Sequence, residues 1–212
     1  MRSSNTQDGI VKTALKCRWK LELSLFEPIY DICGLLEHCG VKVYSIVSAS
    51  EGFFGLSIGE EDGGPAIIVN VNDRIPVERR IFSAAHELGH LVSHKSAFDV
   101  NETNEDKQEE KEADLFAGHF LMPDGGFIKE WKEAAGLPLI DRVFKVKRIF
   151  RVSYKAVLHR LIEHKAVDDT IWMNFTAAYE KRFHQKLAFK KEPMGIESRE
   201  PFGLEAYDFY ED

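Results

Sequence analysis

The sequence predicts an α+β fold, in which a small sheet packs on one long helix and a run of shorter helices follows. Three observations predict it. Apolar residues recur at three- and four-residue steps from Leu25 to Leu36, and three strand-like segments come directly after. A strongly amphipathic pattern then runs from Val77 to His94. Beyond Pro123 helical spacing dominates, broken by short polar joints.

In chain order, the first 20 or so residues are polar and lack a period, which predicts a loosely held arm. Leu25, Phe26, Ile29, Ile32, Leu35 and Leu36 make one helix face, with Pro28 tolerable only in its first turn. Gly40 suits the residue after the helix end. Val41 to Ile46, Phe53 to Ile58 and Ala66 to Val71 read as strands, the last two separated by the turn-rich segment 59–65. Pro76 and Glu78 are start signals for the helix Val77–His94, whose apolar face is Ile81, Phe82, Ala85, Leu88, Leu91 and Val92. Asp99 to Gln108 is acidic and aperiodic, hence a surface loop. A second helix spans Glu109 to Leu121 and stops before Pro123. Shorter helices are expected at Phe127–Ala135, Ile140–Phe150 and Tyr154–His164. Thr170 to Phe183 fits a strand or a helix, and from Lys186 the chain reads as an extended tail.

Composition bounds the function. The 212 residues are 44% hydrophobic and 30% charged, enough for one full domain, or for one plus a small appendage. No stretch approaches the ~18 continuous apolar residues of a membrane span. The opening residues Met1 to Asp8 lack the apolar region of a secretory signal, and Cys17, Cys33 and Cys39 are too few for a disulfide scaffold. A cytoplasmic protein with no membrane partner is the expectation. The net charge of −7 is unevenly placed. Asp99–Asp114 and Glu192–Asp212 are acidic, whereas Asp141–Lys165 carries eight Lys and Arg against two acids.

The sharpest local feature is His86-Glu87-Leu88-Gly89-His90. Helical residues four apart lie about 40° apart around the axis and one turn along it, so both imidazoles point the same way. That separation lets both bind one Zn²⁺ through nitrogens at ~2.0–2.1 Å. Glu87, about 100° round from His86, sits beside such a metal, where it can take a proton from a water whose pKa the zinc has lowered towards ~7. This HExxH pattern is that of zinc peptidases. The competing reading is two surface histidines on an ordinary helix; the small preceding sheet and the amphipathic setting favour the metal. A catalytic zinc needs a third ligand. On the next helix Glu110 and Asp114 share a face, so Glu110 can ligate while Asp114 accepts the outer N–H of a ligand histidine. Glu112, about 200° round from Glu110, is expected to be solvated, as is Glu109.

The run from Arg79 to His90, together with Glu110, Ala113, Asp114, Phe116 and Ala117 and the ending Phe120-Leu121-Met122-Pro123, resembles the ImmA/IrrE family of metallopeptidases. The strand Ala66-Ile67-Ile68-Val69-Asn70 is similar too, and the resemblance covers Phe26 to His164. It implies a zincin-like fold: a small mixed sheet packed on the HExxH helix, followed by a C-terminal helix-turn-helix-like subdomain. It also implies Zn²⁺ held by His86, His90 and Glu110, with Glu87 as the base. Studied members of that family cut helix-turn-helix repressors, which implies a protein substrate of that kind in a stress, phage or mobile-element switch. The corresponding division is an arm over 1–24, a zincin-like metallopeptidase domain over 25–137, a helical subdomain over 138–168, and a C-terminal extension with an acidic tail over 169–212.

Other features have plainer readings. His94 continues the histidine stripe one turn further and reads as a structural or helix-terminal residue. His119 reads as packing or surface, and Cys33 as a small buried residue. Within 141–165 the Val152-Ser153 turn followed by Tyr154–His164 suits a helix-turn-helix. Its basic block fits either a helical hairpin packed on the domain or, as the alternative, weak DNA contact. The ImmA/IrrE resemblance suggests the Ala66–Val71 strand as the edge on which a substrate strand adds. The rival to a peptidase is a non-catalytic metal-binding regulator or toxin–antitoxin partner acting by DNA or protein binding, and Glu87→Gln separates the two.

Overall fold

In the computed structural model, which describes residues 2–60, 63–94, 107–188 and 192–196 with side chains from residue 6, three strands sit between two N-terminal helices and a helical remainder. The fold is α+β, with eight helices among the described residues. In place of a loose arm, α1 (Arg2–Lys20) is a helix packed along α4 (Lys107–Leu121). Ile10, Ala14 and Arg18 are buried, four residues apart on one stripe. Arg18 is wholly enclosed, and backbone carbonyls satisfy its guanidinium. It donates to Phe120 O at 2.7 Å, Glu27 O at 2.7 Å and Ser24 O at 3.1 Å. A cation at the carbonyl end of α4 also complements that helix's dipole. Arg18 thereby ties α1, the 24–27 segment and α4 together.

The helix expected over Leu25–Leu36 is shorter. Residues 25–30 stay non-helical because Leu25 O accepts from Gly126 N at 2.9 Å and Phe26 lies over the glycine pair Gly125-Gly126. Asp31 then caps α2 (Ile32–His38) by accepting from Gly34 N at 2.8 Å. Gly40, at φ +83°, leads the chain into β1 (Lys42–Ile46).

The sheet has the order β1-β3-β2. β3 (Ala66–Asn70) is central, parallel to β1 and antiparallel to β2 (Gly55–Ile58), with Val43 opposite Ile67 and Gly55 opposite Val69. This overturns the choice of Ala66–Val71 as a substrate-binding edge, because both sides of β3 are already paired. Asn70 closes the end of the sheet. Its amide accepts from Ser48 N and Asn72 N and donates to Ser48 O and Phe53 O, so the connection from β1 to β2 is fixed in place.

Pro76 starts α3 (Val77–Ser93), which packs on β2, β3 and, most extensively, α4. Small residues permit that approach: Ala84, Ala85, Ala113 and Ala117 are fully buried, and a Cβ on Gly89 would lie 3.1–3.2 Å from the Phe116 ring and Cβ. Gly89→Leu should therefore destabilise the protein by about 1–3 kcal/mol through overpacking, which urea unfolding would measure. Of the loop expected at Asp99–Gln108, residues 99–106 lie outside the described residues, and 107–108 begin α4.

The remaining helices are α5 (Asp124–Glu133), α6 (Leu139–Phe150), α7 (Tyr154–Glu163) and α8 (Ile171–Phe183). Ser153 caps α7 by accepting from Ala156 N. The ambiguous stretch 170–183 is a helix because Ile171 and Phe175 bury one stripe, Phe175 stacking on Tyr154 at 5.0 Å and meeting Phe144 edge-on. Within the extended tail expected from Lys186 on, residues 192–196 are anchored. Lys147, fully buried, contacts Glu78 Oε1 at 2.8 Å and Glu192 Oε1 at 3.0 Å and donates to Pro193 O and Met194 O. Glu78 Oε1 also accepts from Ile196 N, and Glu192 Oε1 from Tyr154 N. Burial pushes the Glu192 carboxyl up in pKa, opposed by the Lys147 charge.

Candidate metal centre and the groove beside it

α3 and α4 bring together a His-His-Glu group whose ligand atoms all lie within 4.8 Å of one another: His86, His90 and Glu110. His86 Nε2 is 3.3 Å from Glu110 Oε2, His90 Nε2 is 3.1 Å from Glu110 Oε1, and the two Nε2 atoms are 3.1 Å apart. The i, i+4 spacing on α3 brings the two rings together edge to face, 4.8 Å between centres, and the close α3–α4 contact delivers the carboxylate. Two imidazole nitrogens and a carboxylate oxygen converging on one point form a donor set that suits a divalent metal.

The opposite edges of both rings are also engaged. His86 Nδ1 is 2.9 Å from Asp114 Oδ1, on the same α4 face as Glu110. His90 Nδ1 is 3.2 Å from His94 Nδ1, and His94 Nε2 is 3.1 Å from Glu112 Oε2, whose other oxygen accepts from Gln108. Glu112 is thus not the solvated charge expected from its angle around α4. His94 ends α3 at φ −123°, ψ 74°, outside helical geometry, and this brings its ring to Glu112.

Electrostatics keep one ring neutral. Burial, together with the neighbouring His86 and His94, pushes the His90 imidazole down to about 4, so its lone pair is available at neutral pH. Burial also disfavours charge on His86, but the Asp114 hydrogen bond and the carboxylates of Glu87, Asp114 and Glu110 outweigh it and raise the pKa. His119 is likewise buried and lowered to about 4, burial first and the Arg160 charge second. His90 and His119 both bind protons more readily unfolded than folded. Their contribution to stability is therefore complete above about pH 6.5, the ordinary histidine value, and is lost as pH falls towards 4. The metal-free protein should accordingly show a falling urea midpoint across that interval.

Glu87 is buried beside β2. A Cβ at Gly55 would lie 2.8 Å from Glu87 Oε1, 3.0 Å from its Cγ and 3.2 Å from Ile68 O, so the absence of a side chain at 55 is what admits the carboxyl group. β2 is an edge strand on the α3 side of the sheet. A groove of about 970 Å³ reaches the site through Asp114, the partner of His86, and is also lined by Phe54, Arg79 and Tyr154, Lys155 and His159 of α7, while the three ligand candidates and Glu87 lie outside its lining. Arg79 stacks its guanidinium 4.3 Å from the Phe54 ring centre.

The basic block at 141–165 is divided: Lys147, Arg151 and Arg160 are buried, whereas Arg148 and Lys165 are exposed. Lys147 is in the buried cluster with Glu78 and Glu192, and Arg151 is buried. Arg160 pairs with Asp124 and Glu163 and bonds His119, while Arg142 stacks on Trp131 and donates to its carbonyl. A carboxylate, Glu192, occupies the N-terminus of α7, and Trp172 of α8 lies against His159. No described helix is long and apolar enough to cross a membrane.

A family model described as the IrrE N-terminal-like domain, of a peptidase family, matches residues 40–162, more than half of the chain. No curated protein matches the chain. Among solved structures, a Mycobacterium tuberculosis transcriptional regulator is similar at 18% identity and a TM-score of 0.48, covering 72% of this chain and 46% of that one. The chain thus spans less than half the length of that structure.

Proposed function

The chain belongs to the IrrE N-terminal-like peptidase family, and from that premise we propose that it is a zinc-dependent endopeptidase acting on a protein substrate, of the helix-turn-helix repressor class in a stress, phage or mobile-element switch. The observation that carries the reading is the convergence of His86, His90 and Glu110 on one point with Glu87 buried on the adjoining turn. The donor set fits zinc, which imidazole and carboxylate ligands hold in catalytic sites with three protein ligands and an open position. When bound there, zinc supplies Lewis acidity that polarises a peptide carbonyl and makes water acidic enough to lose a proton near neutral pH.

The chain's own residues do the rest. Glu87 takes the proton of the attacking water and returns it to the leaving amine. Asp114 accepts from His86 Nδ1 and holds that ring with its Nε2 towards the metal. β2, rather than β3, offers the free edge on which an extended substrate strand adds beside Glu87. We place the zincin-like domain over 25–137 and a helix-turn-helix-like subdomain over 138–168, whose α7 walls the groove.

Cleavage of a purified helix-turn-helix repressor, followed by mass spectrometry, tests the proposal. A chelator should stop the cut and added zinc restore it; a cut that survives chelation contradicts the reading. Gly55→Ala is a finer probe. The new methyl displaces the Glu87 carboxyl, so turnover should fall roughly 10–100-fold, as sub-ångström misplacement of a catalytic group does, with metal content unchanged.

A further inference from the structure

We propose that His94 and Glu112 form a buried positioning relay for His90, so that the second metal-ligand candidate is held by a carboxylate acting through a third histidine. The inference rests on the zinc reading above. His90 Nε2 is the nitrogen that meets Glu110 and His86, so the lone pair for a metal is there and the ring proton sits on Nδ1. Among the described residues that Nδ1–H meets His94 Nδ1, at 3.2 Å, and donating to it requires His94 to present its lone pair there. His94 then carries its own proton on Nε2 and donates it to Glu112 Oε2, at 3.1 Å. One tautomer assignment satisfies the whole chain, with every proton directed away from the metal position.

The two ligand histidines are consequently supported in unlike ways. His86 reaches a carboxylate directly, but Asp114 is 60% exposed at its side chain and screened by solvent. The His94 and Glu112 side chains are only 6% and 15% exposed, so the relay works in a poorly solvated setting where such bonds count for more. Gln108 donates to the other Glu112 oxygen at 2.8 Å, so both carboxylate oxygens are engaged. His94 and Glu112 sit at the end of α3 and on the helix that follows it, and the contact exists because His94 leaves helical geometry at the end of α3.

The test is the zinc affinity of the intact chain, by competition with a chromophoric chelator, together with the visible spectrum of the cobalt-substituted protein. Glu112→Gln keeps the shape and removes the charge; it should weaken zinc binding roughly 10–100-fold, as loss of a partner behind a ligand histidine does, and shift the cobalt bands. Its metal-free unfolding midpoint should stay unchanged, which separates positioning from a structural role. His94→Phe should weaken binding as much, and the double variant should bind no more weakly than His94→Phe alone, because Glu112 acts only through His94. Affinities within twofold of the parent, or additive losses in the double variant, overturn the relay while leaving the metal centre standing. A parent chain that takes up no zinc overturns both.

Discussion

Glu87→Gln lowers peptide-bond cleavage by roughly 10²–10⁴-fold, the contribution expected of a positioned general base, and leaves zinc uptake essentially intact. The amide occupies the same volume beside Gly55, so neither the packing against β2 nor the three ligand candidates on α3 and α4 is disturbed. It cannot, however, accept the proton of an attacking water. Turnover and metal content measured on the same preparation check this. The variant also separates the peptidase from a regulator that acts only by binding: if the biological effect survives in Glu87→Gln, cleavage is not how the protein works.

The second large effect is on stability. Lys147→Met should cost about 3–5 kcal/mol, because removing one partner of a buried ion pair leaves uncompensated charge. Here Glu78 and Glu192, 1% and 8% exposed at their side chains, would lose their shared cation. The same change releases Pro193 O and Met194 O, so the 192–196 segment should detach from the start of α3. Urea unfolding gives the free-energy change, and limited proteolysis reports the freed segment. Adding Glu78→Gln to Lys147→Met should recover part of the loss, since one stranded carboxylate is then neutral. No recovery would mean that the cluster matters through packing instead.

What is legible in the sequence is mostly local. Pro76, Glu78 and the apolar period place α3 from Val77 to within a residue of its observed end. The i, i+4 rule pairs His86 with His90, and Glu110 with Asp114, before any tertiary contact is known. The three strands are legible as well, but their order is not. Alternation marks a strand and says nothing of its neighbours, so the pairing of β3 on both sides emerges only from the fold. α1 escapes notice because its buried stripe is one residue wide and includes Arg18, a residue type rarely enclosed unless its donors are satisfied. The burial of part of the basic block is not legible in the sequence for a related reason. Charge counted along the chain is blind to burial, and Lys147 and Arg160 face inward towards acids that lie far away in sequence or on other helices. His94 and Glu112 have a visible signal, a third histidine on the α3 stripe, yet their meeting depends on a departure from helical geometry that no spacing rule supplies.

The proposed chemistry requires one metal held by His86, His90 and Glu110. Native mass spectrometry of the purified chain, with and without added zinc, tests it most directly. The parent should carry one zinc per chain, and His90→Ala and Glu110→Ala should each lose it at concentrations that saturate the parent. A parent that remains metal-free after zinc addition, or variants that retain the ion, would contradict the account.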